Sequence, residues 1–340
     1  MRLEEASAPV FARHETFHLR YGWLKKAYDA VLTDPQVFLN EHATVALGVG
    51  KNMVRAIRFW GRAARVLTDL PGSRSRSSAG LVPTRLSHAM FSDGGWDPYC
   101  EDPATMWLLH WWLLAPRNLL PVWWSAFNDF GALEFTDEQL TSFALGHLRG
   151  TPGWQVPHPS SVTKDISCLL RTYTLGAAGR SRATIDDSLD CPLRELGLIK
   201  AGSGSPRTYR FDSGGKPGLR PLIVLFASLD FVARTEGAGV RTVTVTRLAS
   251  ETGGPGRAFY LSEQAFVERL EAAVLSVPSV RLAMPGGVVQ LQFEDDPARL
   301  ANEVLQEHFA SRAGRRINAA SVAGPDAEKP LDLAATGDVL

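Results

Sequence analysis

Cysteine is scarce in this chain. Cys100, Cys168 and Cys191 lie far apart, with no CxxC pair. That spacing excludes a zinc ribbon and a disulfide scaffold, and it suits a reducing compartment. Long apolar runs are also missing. The most apolar stretch, Met106 to Leu120, is interrupted by His110, Pro116 and Arg117 and is too short to span a bilayer. The opening MRLEEASAPVFARHETF carries acids and has no apolar core, so it does not read as a secretion signal. A cytoplasmic protein with no membrane partner is the expectation. Net charge is absent as well, with 36 Lys and Arg against 36 Asp and Glu, which by itself argues against a nucleic-acid partner.

The distribution of charge says otherwise. Residues 1–90 hold 13 basic and 7 acidic side chains, whereas residues 91–150 hold 2 and 8. Opposite excesses in neighbouring segments mean a positive field beside an acidic one, which the total conceals. With 340 residues, 45% of them hydrophobic, the chain is long enough for two or three packed domains.

The hydrophobic pattern predicts mainly α structure with small β-hairpins, an α+β chain. Helices are expected from Tyr21 to Leu32, from Glu41 to Leu47 and from Lys51 to about Leu67. Gly48-Val49-Gly50 makes a tight turn before the last of these. Short helix, glycine turn, longer helix is the helix-turn-helix order, and the stretch from Pro71 to Ser92, with Arg74, Arg76 and Arg85, reads as a wing or a basic loop. Residues 1–92 therefore form a DNA-binding domain in this reading. Residues 93–155 form a tryptophan-rich helical segment, in which Asp102-Pro103 starts a helix with a stripe of Trp107, Leu108, Trp111 and Trp112. Residues 156–235 form a second winged-helix-like unit with a hairpin tip at Gly202-Ser203-Gly204. Residues 236–310 form a third, with a hairpin from Val280 to Phe293. Residues 311–340 lose periodicity and read as a mobile tail. No letter-level repeat links the units, so the tandem rests on element order.

The segment KNMVRAIRFWGRAARVL places Lys51, Arg55, Arg58, Arg62 and Arg65 at spacings of 4, 3, 4 and 3. On a helix all five fall within an arc of about 80°. No acid interrupts them, so intrahelical ion pairs cannot absorb the charge. A solvated face and a membrane-surface helix are the competing readings. Phosphates are the partner that an all-cationic stripe favours, because each neutralised phosphate releases counterions. Lys51, Asn52 and Arg55 sit at the helix start, where a recognition helix meets base edges; Asn52 suits adenine and Arg55 suits guanine.

Two further motifs bear on chemistry. His14-Glu15-Thr16-Phe17-His18 spells HExxH, which on a helix aims two imidazoles at a zinc ion with the glutamate as base. Arg20 and Tyr21-Gly22 follow where zinc-protease helices stay apolar, so a polar strand or turn packed on the first helix is the favoured alternative. A third option has His14, Glu15 and Arg20 acting at a phosphodiester, with His18 beside them. In DGGWDPYCEDP, the acids Asp93, Asp97, Glu101 and Asp102 could hold magnesium. Alternatively Asp102 caps a helix and Asp97-Pro98 makes a turn, which leaves Asp97 and Glu101 without a capping task and as candidates.

Taken together, Phe11–Val31, Ala43–Leu67 and Asp97–Leu114 resemble an uncharacterised-domain family encoded beside bacterial DNA phosphorothioation genes, the SspB type of the Ssp systems. SSVTKDISCLLRTY and CPLRELGLI extend the resemblance towards residue 310. It implies a DNA nickase in a system that replaces a non-bridging phosphate oxygen by sulfur. The implied partners are an ATPase, a cysteine desulfurase and a sulfurtransferase-like enzyme. Nicking would call for a divalent metal, magnesium or manganese, and a homodimer is possible. No catalytic residue is carried over. The alternatives are a non-catalytic DNA-binding adaptor or regulator and, third, a zinc peptidase.

Overall fold

Residues 1–72, 80–174, 191–313 and 323–331 are described by the computed structural model. At its centre lies helix α6 (Pro103–Leu114), started by the Asp102 carboxylate, which accepts from the Ala104 amide at 2.9 Å. Every residue from Ala104 to Leu114 is buried. A helix apolar all round must be covered on all sides, so the expected stripe is in fact a fully enclosed rod. Its neighbours are α10 (Pro221–Thr235), α12 (Pro255–Ala258) and the 3-10 turn Pro192–Leu196.

Most of the remaining elements repeat one order three times around this rod. The first group is α2 (Trp23–Thr33), α3 (Ala43–Leu47), α4 (Lys51–Ala63) and the antiparallel pair β1 (Leu67–Asp69) and β2 (Leu81–Pro83). Here a third strand is reduced to one bond, from the Leu81 amide to the Pro35 carbonyl at 2.8 Å. The second group is α7 (Pro121–Asn128), β3 (Glu134–Phe135), α8 (Asp137–Arg149), α9 (Pro159–Tyr173), β4 (Ile199–Ala201) and β5 (Tyr209–Phe211). Its sheet has the order β3-β5-β4. The third group is α10, β6 (Thr242–Thr244), α11 (Val245–Ser250), α12, α13 (Glu263–Val274), β7 (Val280–Ala283) and β8 (Gln290–Phe293). Its sheet order, β6-β8-β7, matches the second. The second sheet therefore draws on residues well before position 156. Two-residue β3 is too short to leave an alternating pattern in the sequence.

The short α1 (Leu3–Ala6) packs on α7, and α5 (Arg85–Phe91) follows β2. Helix α14 (Pro297–Ala313) lies along α10. Part of the expected mobile tail is docked. The Leu331 amide donates to the Pro83 carbonyl at 2.9 Å, the Arg85 amide to the Lys329 carbonyl at 3.2 Å, and the Gly324 amide to Asp230 Oδ1 at 2.6 Å. Ala323 and Ala327 are fully buried. A segment held by main-chain bonds and two alanines gives no hydrophobic period, which is why composition alone marked it as loose.

This docking completes a buried charge network. Asp230, with no exposed surface, accepts from Arg234 Nε and Trp111 Nε1, each at 2.8 Å. Glu328 then joins Arg234 to Arg65. The flanking guanidinium groups hold the Asp230 and Glu328 carboxyls below their usual range against the opposing effect of burial.

Candidate nucleic-acid interface

Helix α4 begins after a turn in which Gly48 has φ 63°. Residues with a Cβ adopt that region reluctantly, so glycine suits the site. Lys51, Asn52 and Arg55 are exposed, and Val54, Ile57, Phe59 and Trp60 are buried. Two corrections shorten the cationic stripe. The helix ends at Ala63, and Arg65 adopts φ 61° and turns inward, only 4% exposed. Its guanidinium bonds the carbonyls of Trp112 (2.8 Å), Ala115 (2.7 Å) and Pro116 (3.0 Å), besides Glu328. Pro116 has no N–H to offer Trp112 across a helical turn, and Arg65 fills that vacancy. Arg65 is a cap on the C-terminus of α6, not a phosphate ligand. Arg62 is half-buried and pairs with Asp69 at 3.1 Å. Arg58 is half-buried too, its guanidinium pushed down by burial and by Arg62. Arg74 and Arg76 lie outside the described residues.

The HExxH segment is not a helix. Residues 13–16 form a turn in which Glu15 and Thr16 have φ 51° and 67°, so the two imidazoles are not stacked on one face and the zinc geometry is absent. His14 is fully buried. Its Nε2–H donates to Asp165 Oδ1 at 2.7 Å, while Nδ1 accepts from the Thr16 amide at 3.1 Å. The rings of Phe59, Trp60 and Trp123 surround it. Burial raises the Asp165 carboxyl, against the pull of His14. His18 is buried and donates to the Leu19 carbonyl at 3.2 Å. Burial, and then Arg194, Arg171 and Arg20, push it down to about 4.

That electrostatic neighbourhood is informative. The turn is clamped between two helices, for the Phe17 carbonyl accepts from Trp60 Nε1 of α4 at 2.9 Å and from Cys168 Sγ of α9 at 3.4 Å. Arg55 reaches Glu15 at 3.6 Å from one side and stays 55% exposed. From the other side Arg171 of α9 bonds the Thr16 carbonyl, and Arg194 Nε bonds the Arg171 carbonyl at 2.7 Å. The Arg20 guanidinium lies 5.8 and 5.7 Å from the Phe17 and Trp23 rings. Arg13, at the tip, is exposed. A cleft of about 510 Å³ beside Arg20 adds Lys25, Lys26 and Tyr99 to its lining. The structure thus gathers arginines from four elements around one turn. Arg13, Arg171 and Arg194 escaped the sequence reading. Arg171 was detectable, since it lies opposite Val162, Ile166 and Leu169 on an amphipathic helix; Arg194 carried no such signal.

The acidic knot has a structural task. Asp97 is buried and accepts from the amides of Glu101 (2.8 Å) and Asp102 (3.0 Å) and from Thr105 Oγ1 (2.5 Å). It therefore does have a capping role, organising the loop that leads into α6. Asp102 caps α6 and meets His308 Nε2 at 3.1 Å. Glu101 and Asp93 are exposed. Among the described residues no three His, Cys, Asp or Glu side chains come together as a metal cage, and no helix is long and apolar enough to cross a membrane. Among the described residues, Cys100, Cys168 and Cys191 form no disulfide.

Residues 11–309 match the family described as Protein of unknown function (DUF4007). The chain belongs to the DUF4007 family. This DUF4007 chain also superposes on two solved structures. One is a magnesium-ion-bound SspB crystal structure, 36% identical, with TM-score 0.85 over 92% of each chain. The other is an SspB crystal structure, 37% identical, with TM-score 0.84 over 93% of this chain and 92% of that one. No curated protein matches the DUF4007 chain by sequence.

Proposed function

We propose that this protein binds double-stranded DNA as a component of a bacterial phosphorothioation and phage-defence system, and that it nicks one strand of its target. One observation carries the proposal: the exposed Lys51, Asn52 and Arg55 at the start of α4, of which Arg55 reaches Glu15 of the neighbouring turn, in a chain 36% identical to SspB. On this reading the three groups of helices and hairpins are winged helix-turn-helix units. Helix α4 is the first recognition helix, its N-terminal residues facing base edges. A nick would open the strand for exchange of a non-bridging oxygen by sulfur, delivered by an ATPase, a cysteine desulfurase and a sulfurtransferase-like partner.

Magnesium or manganese would polarise the phosphodiester. The described side chains do not fit a protein-enclosed metal centre, because Asp97 and Asp102 are spent on capping. The same observation favours a second reading, a DNA-binding adaptor without catalysis, since His14, His18, Asp97 and Asp102 are all buried. A plasmid assay separates the two. Purified protein with magnesium or manganese converts supercoiled to open-circular DNA if it is a nickase. If neither metal supports conversion while duplex binding persists, the adaptor stands.

A further inference from the structure

We propose that α9 is a second DNA-contacting helix, continuous with α4 across the Glu15–Thr16 turn, and that the third unit's helix α13 takes no part. This inference rests on the duplex-binding proposal above and extends it to a surface of its own. Helices α4, α9 and α13 occupy the same place in the repeated order, each preceding a hairpin, but their exposed faces differ. On α9, Ser160, Thr163, Lys164, Ser167 and Arg171 are exposed and fall within an arc of about 100°. The single acid of α9, Asp165, is buried under His14. That face offers cations and hydroxyl donors, the groups that grip phosphate and sugar oxygens. On α13, by contrast, Glu263, Glu268 and Glu271 are exposed, and a phosphate backbone would be repelled.

Position supports the same conclusion. Because Trp60 of α4 and Cys168 of α9 share the Phe17 carbonyl, the two helices flank one residue's backbone. Arg55 and Arg171 bracket the adjacent residues Glu15 and Thr16. Arg171 has main-chain carbonyls of Thr16 and Ser167 as its hydrogen-bond acceptors, so its charge remains available to an anion. A cleft of about 250 Å³ between α8, α9 and β5 continues the surface, with Arg171 and Arg207 in its lining. Glu15, in the turn itself, is paired with Arg55; beyond the cleft stand Asp137, which lines it, and Glu138 at the start of α8. They mark the far border of the proposed footprint.

The test measures the full chain on a short fluorescein-labelled duplex by anisotropy across a salt series. Lys164→Glu and Ser167→Asp, both at exposed positions, weaken binding by at least about tenfold at low salt. Lys164→Ala lowers the salt slope by about one unit, and Glu268→Lys on α13 changes affinity by less than about twofold. Unaltered melting temperatures show that these variants fold. If Lys51→Ala with Arg55→Ala weakens binding while the α9 variants do not, the α9 inference is overturned and duplex binding stands. If the wild-type chain does not bind duplex at all, both fall together. An effect of Glu268→Lys equal to those on α9 also overturns the proposal, since it would mean that only overall charge counts.

Discussion

Arg65 and Arg55 look alike in the sequence, ten residues apart on one basic segment, yet the structure assigns them opposite fates. Arg65→Ala removes the donor from the carbonyls of Trp112, Ala115 and Pro116 and takes one cation from Glu328. Breaking a buried ion pair by deleting one partner costs about 3–5 kcal/mol. Arg234 still reaches Glu328, which is 31% exposed, and this moderates the loss. The uncapped end of α6 works in the other direction, since each stranded carbonyl costs roughly 1–3 kcal/mol. A net loss of about 3–5 kcal/mol is therefore expected, enough to lower the melting temperature by on the order of 10 °C. Arg55→Ala removes an exposed side chain with one long contact to Glu15 and leaves the melting temperature within a degree or two, by the roughly 0–1 kcal/mol of such pairs. The assay is urea or thermal unfolding beside duplex binding. Arg65→Ala loses stability and, below its transition, keeps its affinity and salt slope. An Arg65→Ala protein with wild-type stability and reduced DNA affinity would refute the assignment.

Other outcomes follow from the same geometry. Arg55→Ala and Lys51→Ala each reduce the dependence of log affinity on log salt by about one unit, read from titrations at several salt concentrations; an unchanged slope in the double variant contradicts a phosphate-facing α4. His14→Ala removes the imidazole N–H that donates to buried Asp165 Oδ1, leaving that oxygen the Ala12 amide, and costs about 1–3 kcal/mol in unfolding experiments, with no zinc released on elemental analysis; stoichiometric zinc in the wild-type protein, lost in the variant, would reinstate the HExxH reading. His18 and His110 are both held neutral, at about 4, chiefly by burial. A histidine whose folded value lies below its unfolded one contributes stability above the unfolded value, near 6.5, and loses it as pH falls towards 4. Melting temperature should therefore decline between about pH 6.5 and pH 4, and His18→Gln should flatten part of that decline.

Much of the fold was legible because its signals are local. The glycine turn ahead of Lys51, the Asp102-Pro103 start of α6 and the glycines between β7 and β8 each act within a few residues, and each element appears where that chemistry puts it. What the sequence concealed depends on distant partners. Arg65 kept helical spacing with Arg62, but the carbonyls it serves lie on α6 and its carboxylate partner lies 263 residues downstream. His14 and His18 matched a metal motif by letters alone. The motif requires helical φ and ψ, and the positive φ of Glu15 and Thr16 removes the shared face. Asp97 looked idle because its three donors sit in the loop and first turn that it organises. The candidate surface was half visible: α4 announces itself by charge, whereas α9 contributes two cations and three hydroxyls that read as an ordinary polar face until Phe17 is seen to tie the helices together.

The strap formed by Ala323–Leu331 has a bearing on how the molecule comes into being. Glu328 neutralises a guanidinium near the start of the chain, and Pro330 closes the edge of the earliest hairpin through a bridge to Thr84. During synthesis that segment must wait for Glu328, 263 positions downstream of Arg65, before its interior charge is balanced and its sheet margin is sealed. A fragment cut after residue 92 would carry an unmatched cation and an open strand edge, and so makes a poor stand-alone reader of DNA.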